Sequence, residues 1–191
     1  MTKEEMMLQK RLVELSRIAY QRGIVTFSDF LNLNELNILH TTPKDQFLCR
    51  YETFGGYNLA ERQIAAFLPD ALYYEYEYPF QQIEITPMNR KFAEELTHRD
   101  YLGAIMNLGI ERCKLGDILT TKERAILFVK DELSDYILEH LTRIRHTSVH
   151  TSFIPSFEQN YEPEYEEIKG SVASIRLDTI LSLGYPLSRS K

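Results

Sequence analysis

Cysteine is scarce in this chain: Cys49 and Cys113 are the only two in 191 residues. They stand far apart, without the close spacing of zinc ligands. A disulfide scaffold and a structural zinc are therefore excluded, and two reduced core thiols are expected. Long apolar runs are missing too. The longest, such as residues 125–129, are strand-sized and far short of the ~20 residues a membrane helix takes. The N-terminal Met-Thr-Lys-Glu-Glu has no apolar signal core, so a cytoplasmic protein without a membrane partner is expected. Basic charge is also short. The 22 Lys and Arg against 28 Asp and Glu give a net charge of −6, which argues against a nonspecific nucleic-acid binder.

Catalytic constellations are absent as well. No Ser/His/Asp, Cys/His or paired-carboxylate arrangement stands out, and no enzymatic activity or cofactor is expected. Gly55-Gly56-Tyr57 lacks the Lys-Ser/Thr of a nucleotide P-loop, and a strand-to-helix turn is the expected role. Glu61-Arg62 on the following helix is expected to form a surface or inter-element ion pair. His98-Arg99-Asp100 has the letters of a kinase catalytic loop, but position 105 is Ile where Asn is needed and no Gly-rich phosphate loop precedes it. A helix N-terminus fits better: Thr97 caps, and Asp100 suits the positive end of the dipole.

What is present reads as a mixed α+β protein of ordinary composition, 43% hydrophobic and 26% charged. Met7, Leu8, Leu12, Leu15, Ile18 and Ala19 recur at helical spacing over residues 4–22, and Gly23 stops that helix. Thr26 to Asp29 offers caps for a second helix over 30–39. Residues 47–54 alternate as a strand that ends at Gly55-Gly56. Asn58 then caps a helix through Ala60, Ile64 and Phe67, closed by Pro69. Residues 73–78 and 83–86 read as strands, with Pro79 between them. A helix from Thr97 or Asp100 to Leu108 ends at Gly109. Strands over 118–120 and 125–129 flank the polar turn 121–124. A helix over 131–142 turns Leu133, Tyr136, Ile137, Leu138 and Leu141 inward, and 148–154 is the last strand. The order from residue 73 is β-α-β-β-α-β, the split βαβ or ferredoxin-like pattern, which is the architecture of many RNA-recognition domains.

The charge distribution then changes. Glu158, Glu162, Glu164, Glu166 and Glu167 crowd residues 157–168 without a Lys or Arg, whereas 171–191 carry Arg176, Arg189 and Lys191 against Asp178 alone. The expected organisation is a helical/mixed subdomain over 1–72, a ferredoxin-like domain over 73–156, an acidic linker over 157–170 and a basic segment over 171–191.

That basic segment resembles the opening of the RNA-binding module named after the fourth protein of the small ribosomal subunit. The module's Arg-Leu-Asp helix matches Arg176-Leu177-Asp178, and its Ser-Arg-Ser entry to a second helix matches Ser188-Arg189-Ser190. A complete module needs roughly thirty more residues, so only its start is expected here. Arg-Leu-Asp is also similar to the catalytic motif of pseudouridine synthases. However, Ile175 replaces the required Gly and the following Asp-Gly is missing, so an RNA-modifying role for Asp178 is the weaker reading.

Ordered landmarks extend the likeness across nearly the whole chain. They are Asp29-Phe30-Leu31, Phe54-Gly55-Gly56-Tyr57, Ala60-Glu61-Arg62, residues 97–104, Leu108-Gly109-Ile110, Lys114-x-Gly116-Asp117-Ile118 and the final Arg-Leu-Asp…Ser-Arg-Ser. Together these resemble the YlmH family of bacterial RNA-binding proteins. The resemblance implies a ferredoxin-like, RNA-recognition-type central domain and a role on the large ribosomal subunit in the quality control of stalled nascent chains. It also implies ribosomal RNA or tRNA as partner. A protein-interaction role in cell division is the alternative, since the family's genes lie among division genes.

The residues expected to contact RNA are Arg176, Ser188, Arg189 and Lys191, which match the module, followed by Arg143, Arg145, His98 and Arg99. Arg143, Arg145, His146 and His150 gather at the start of the last strand, where alternation puts His146, Ser148 and His150 on one face and Thr147, Val149 and Thr151 on the other. A metal at His146 and His150 lacks further ligands. Domains of this topology stack bases on sheet aromatics, for which Tyr74, Tyr76 and Phe128 are the candidates, with core packing the expected role of Phe128.

Overall fold

The computed structural model describes residues 2–70, 72, 74–89, 94–121, 123–154, 167–172 and 176–185. It forms two compact units, Met1–Tyr161 and Glu162–Lys191. Helix α1 (Lys3–Arg22) opens on a capping box: Thr2 N–H donates to Glu5 Oε2 at 2.8 Å and Glu5 N–H donates to Thr2 Oγ1 at 3.2 Å. It stops at Gly23, whose φ of 63° is the left-handed turn that glycine enters without strain. Strands β1 (Thr26–Leu31), β2 (Arg50–Phe54) and β3 (Gln63–Leu68) make an antiparallel sheet in the order β1-β3-β2. Helices α1 and α2 (Leu33–Thr41) cover one face of it, where Leu12, Leu15, Leu36, Leu39, Ala65 and Phe67 form a core.

Two expected helices are corrected here. The second begins only at Leu33, behind an Asn32 cap whose Oδ1 accepts from Glu35 N–H at 3.0 Å, and Thr26–Leu31 is a strand. The polar pair Ser28-Asp29 sits where the register with β3 slips between Phe27 and Phe30, and Ser28 Oγ accepts from Ala65 N–H at 2.9 Å. A hydroxyl that serves a bulge looks in sequence like one that serves a helix cap. The expected helix through Ala60, Ile64 and Phe67 is instead strand β3. Ile64 to Leu68 are all buried because both faces of β3 are covered, so its period of two is invisible and the run reads as uniformly apolar.

The second sheet follows the expected order. Strand β4 (Phe80–Pro87), helix α3 (His98–Met106), strands β5 (Leu115–Thr120) and β6 (Ala125–Lys130), helix α4 (Asp131–His140), the short β7 (Arg143–Ile144) and β8 (Thr147–Phe153) give the sheet order β5-β6-β4-β8-β7, with all neighbours antiparallel. The β4-α3-β5 crossover is split by β6, and the β6-α4-β8 crossover by β4, which is the split βαβ arrangement. Ile83, Ile85, Leu127, Val129, Tyr101, Ile105 and Ile137 pack between the helices and one sheet face. Tyr136, expected inward on α4, is exposed. The expected strand before Pro79 is also absent: Tyr74 to Tyr78 make no strand, and Tyr73 lies outside the described residues.

A third core joins the sheets. Phe30, Tyr57, Ala60 and Ile64 from the first part meet Phe80, Ile126 and Phe128 on the face of β4 and β6 that the helices leave open. Polar ties surround it. Asp117, buried in the bulge of β5 between Leu115 and Ile118, accepts from Tyr57 Oη–H at 2.7 Å and from the N–H groups of Glu61 at 2.8 Å and Arg62 at 3.2 Å. The Arg62 side chain, also buried, donates to the carbonyls of Leu115 (2.8 Å), Phe30 (3.1 Å) and Arg112 (3.2 Å). Lys114 Nζ lies 3.0 Å from Asp29 Oδ1, and Lys130 Nζ donates to Ser28 O at 3.0 Å. From the two bulges, Asp29 and Asp117 thus each meet donors from the opposite side of the junction.

In the second unit, helix α5 (Leu177–Gly184) has no buried residue, and Leu177, Ile180 and Leu181 are exposed. Most of the expected acidic linker, residues 157–166, lies outside the described residues.

Candidate nucleic-acid interface

The sheet face on which such domains stack bases is filled. Phe128 is fully buried, with ring centroids 5.6 Å from Tyr57 and 6.2 Å from Phe80. The other two candidates serve the fold: Tyr74 Oη accepts from Val25 N–H at 2.9 Å, and Tyr76 Oη–H donates to Glu52 at 3.0 Å. Phe128 offers no ring to a base, because the first sheet covers it, and Tyr74 and Tyr76 lie outside the strands.

A different surface collects cationic side chains. The groove between α3 and the α4–β7 connection, about 470 Å³, has Arg99, Asp100, Gly103, Ala104 and Asn107 on one wall and His140, Thr142, Arg143 and Arg145 on the other. Local sequence builds both walls. Tyr101 and Ile105 lock α3 onto the core from one face, so Arg99 and the small residues Gly103 and Ala104 are left toward the groove. On the far wall, Arg143 pairs with Ser148 and Ile144 with Thr147, which leaves Arg145-His146 as a two-residue hairpin loop. Arg145 has φ of 52°, the one positive φ outside glycine among the described residues. A non-glycine residue there costs roughly 1 kcal/mol, and here it turns the guanidinium back over the N-terminus of α3.

That guanidinium meets two carboxylates. Arg145 Nε lies 3.7 Å from Glu94 Oε2 and Nη1 lies 3.6 Å from Asp100 Oδ1. Asp100 also accepts from Thr97 N–H at 2.9 Å and Thr97 Oγ1–H at 2.7 Å. The Thr97 backbone and hydroxyl bonds, then Arg145 and Arg99, hold the Asp100 carboxyl below the usual carboxylate range. Arg99 and Arg143 are exposed and make no salt bridge among the described residues. The groove therefore presents two open guanidinium groups and a third held loosely. That is an arrangement suited to phosphate oxygens.

Of the residues expected to touch RNA, Arg99, Arg143 and Arg145 converge on this groove. His98, the first residue of α3, is exposed but does not line it. The predicted alternation on β8 is observed: Thr147 and Val149 are buried, whereas Ser148 and His150 are exposed. Among the described residues no group of His, Cys, Asp and Glu could hold a metal ion. Arg176 stands just before α5 in the second unit, with Nε 3.1 Å from Asp178 Oδ1. Ser188, Arg189 and Lys191 lie outside the described residues. Sequence reading missed His140 and Asn107. For His140 a signal existed, namely its position one turn after Tyr136 at the end of α4.

Comparison with known proteins gives these features a context. Residues 74–158, which contain all three groove arginines, match the family model described as "Putative RNA-binding domain in YlmH". A Bacillus subtilis (strain 168) protein named ribosome-associated protein quality control protein P2 is 29% identical over 194 aligned residues, covering 99% of this chain and 73% of that protein. The solved structure of cell division protein YlmH from Streptococcus pneumoniae matches with a TM-score of 0.64 at 24% identity, over 81% of this chain and 93% of the other, and so shares its fold. Over its central domain the chain thus matches the YlmH RNA-binding domain model, and over nearly its whole length it is similar to the Bacillus protein.

Proposed function

We propose that this protein binds structured RNA on the ribosome and acts in the quality control of stalled translation. The observation that carries this reading is the convergence of Arg99, Arg143 and Arg145 on one groove inside the residues that match an RNA-binding domain. The relative named for ribosome-associated quality control supports the cellular role. The finer assignment is to ribosomal RNA or tRNA on the large subunit, in the cytoplasm. With a net charge of −6 the chain has no general affinity for polyanions, so recognition rests on local arginine clusters and on shape. Binding, not catalysis, is the proposed activity, since no catalytic constellation stands out in the sequence.

Co-sedimentation of the chain with purified ribosomal subunits, together with filter binding of ribosomal RNA and tRNA over a salt series, tests the proposal. The expected result is association with the large subunit that weakens steeply with salt. Absence of association at low salt sinks the reading.

A further inference from the structure

The groove carries more chemistry than phosphate binding requires. Its far wall includes His140, whose ring is stacked on Tyr136 with centroids 4.2 Å apart and planes 25° apart. The pair is pinned twice. Nδ1 of His140 lies 2.9 Å from the Tyr136 carbonyl oxygen, and Tyr136 Oη–H donates to Leu108 O at 3.3 Å, reaching from α4 to the end of α3. Both residues are exposed. An exposed aromatic stack held in one orientation beside unpaired arginines is the combination that reads unpaired nucleotides, where a base extends a stack while cations hold its phosphate. The filled sheet face makes the contrast sharper, because Phe128 and Phe80 are buried under the first sheet.

We infer that the groove takes one nucleotide unit of unpaired RNA, with its phosphate on Arg99, Arg143 and Arg145 and its base on the ring of His140; this rests on the RNA-binding reading above. At about 470 Å³ the groove falls within the roughly 300–1,000 Å³ range of small-molecule pockets, which admits a nucleotide and not a duplex. Arg145 is the exchangeable member. Its distances of 3.6 and 3.7 Å to Asp100 and Glu94 exceed those of close charge-assisted hydrogen bonds, roughly 2.7–2.9 Å. Glu94 Oε2, moreover, has no hydrogen-bond partner among the described residues. A phosphate entering the groove replaces these two loose contacts with a close one. The carboxylates thereby set a threshold that a weakly held anion does not cross.

Fluorescence anisotropy with the full chain tests this. The probes are a labelled single-stranded RNA octamer, the same octamer with abasic positions and its duplex. The intact strand is expected to bind roughly tenfold more tightly than the abasic one, the scale of one base stacked on an aromatic ring. His140→Ala brings the intact strand down to the abasic level, His140→Phe restores the difference, and Arg143→Gln weakens both strands together. Equal affinity for intact and abasic strands overturns the inference. So does preference for the duplex, or a difference that survives His140→Ala. Ribosomal RNA binding that persists through any of these outcomes leaves the broader function standing, whereas loss of all RNA binding at low salt removes both.

Discussion

Gly56 lies directly against the ring of Phe128, with a backbone φ of 103° that side-chain-bearing residues rarely adopt. A Cβ at this position would overlap Phe128 Cε1 and lie 2.5 Å from Cδ1. The close approach closes the junction between the two sheets, so Gly56→Ala combines backbone strain with overpacking and is expected to destabilise by about 3 kcal/mol. Urea unfolding measures this, and an unchanged midpoint would contradict the packing described.

Asp117 is the acceptor for three donors from the loop before β3, so Asp117→Asn should cost about 2–3 kcal/mol, since bonds to a charged group are the stronger kind. Tyr57→Phe removes one of the three and should cost roughly 1.5 kcal/mol. The two changes share a partner, and a double-mutant cycle is expected to show them less than additive.

Asp100 should titrate below the ordinary aspartate value of about 3.9. Its folded value is depressed, so its contribution to stability is present above the unfolded value and is lost as pH falls through the folded one. Carbon-detected NMR titration checks this. In Arg145→Gln the value should rise but stay low, because the Thr97 hydrogen bonds are the larger cause. A return to the ordinary value would assign the shift to Arg145 instead.

Burial pushes both thiols up, Cys49 most directly and Cys113 with help from nearby Asp29. Alkylation by iodoacetamide at neutral pH should therefore be slower than for free cysteine at both positions. Partly exposed Cys113 should react first and buried Cys49 only on unfolding. Mass mapping of a time course settles the order.

For RNA binding, Arg143→Gln should reduce the slope of log affinity against log salt by about 0.7 on single-stranded RNA, the loss of one phosphate contact. An unchanged slope would place the phosphates elsewhere.

The helices α1, α3 and α4 were legible from periodicity and caps, β5 and β6 from short apolar runs around a polar turn, and β8 from alternation, because in each the signal is local. The landmarks Gly55-Gly56-Tyr57, Ala60-Glu61-Arg62 and Lys114 to Ile118 were visible as a family pattern, but their purpose was not. They form the junction: Arg62 and Asp117 meet across it although 55 residues separate them in the chain. Glu61-Arg62, expected as an ion pair, instead contributes two backbone N–H groups to Asp117 and a buried guanidinium to three carbonyls.

The sequence by itself determined which segments could be amphipathic, the resemblance to YlmH proteins and the types of residue available to hold a phosphate. Tertiary structure decided the rest. It made β3 a strand by burying both of its faces, which erased the periodicity that would have announced it. It closed the sheet face to bases by laying the first sheet over Phe128. It also brought Arg99, Arg143 and Arg145 to one groove, because α3 and the β7–β8 hairpin become neighbours only when the crossovers fold onto the sheet. Local propensity carries no information about such long-range proximity, which is set by where apolar faces find each other.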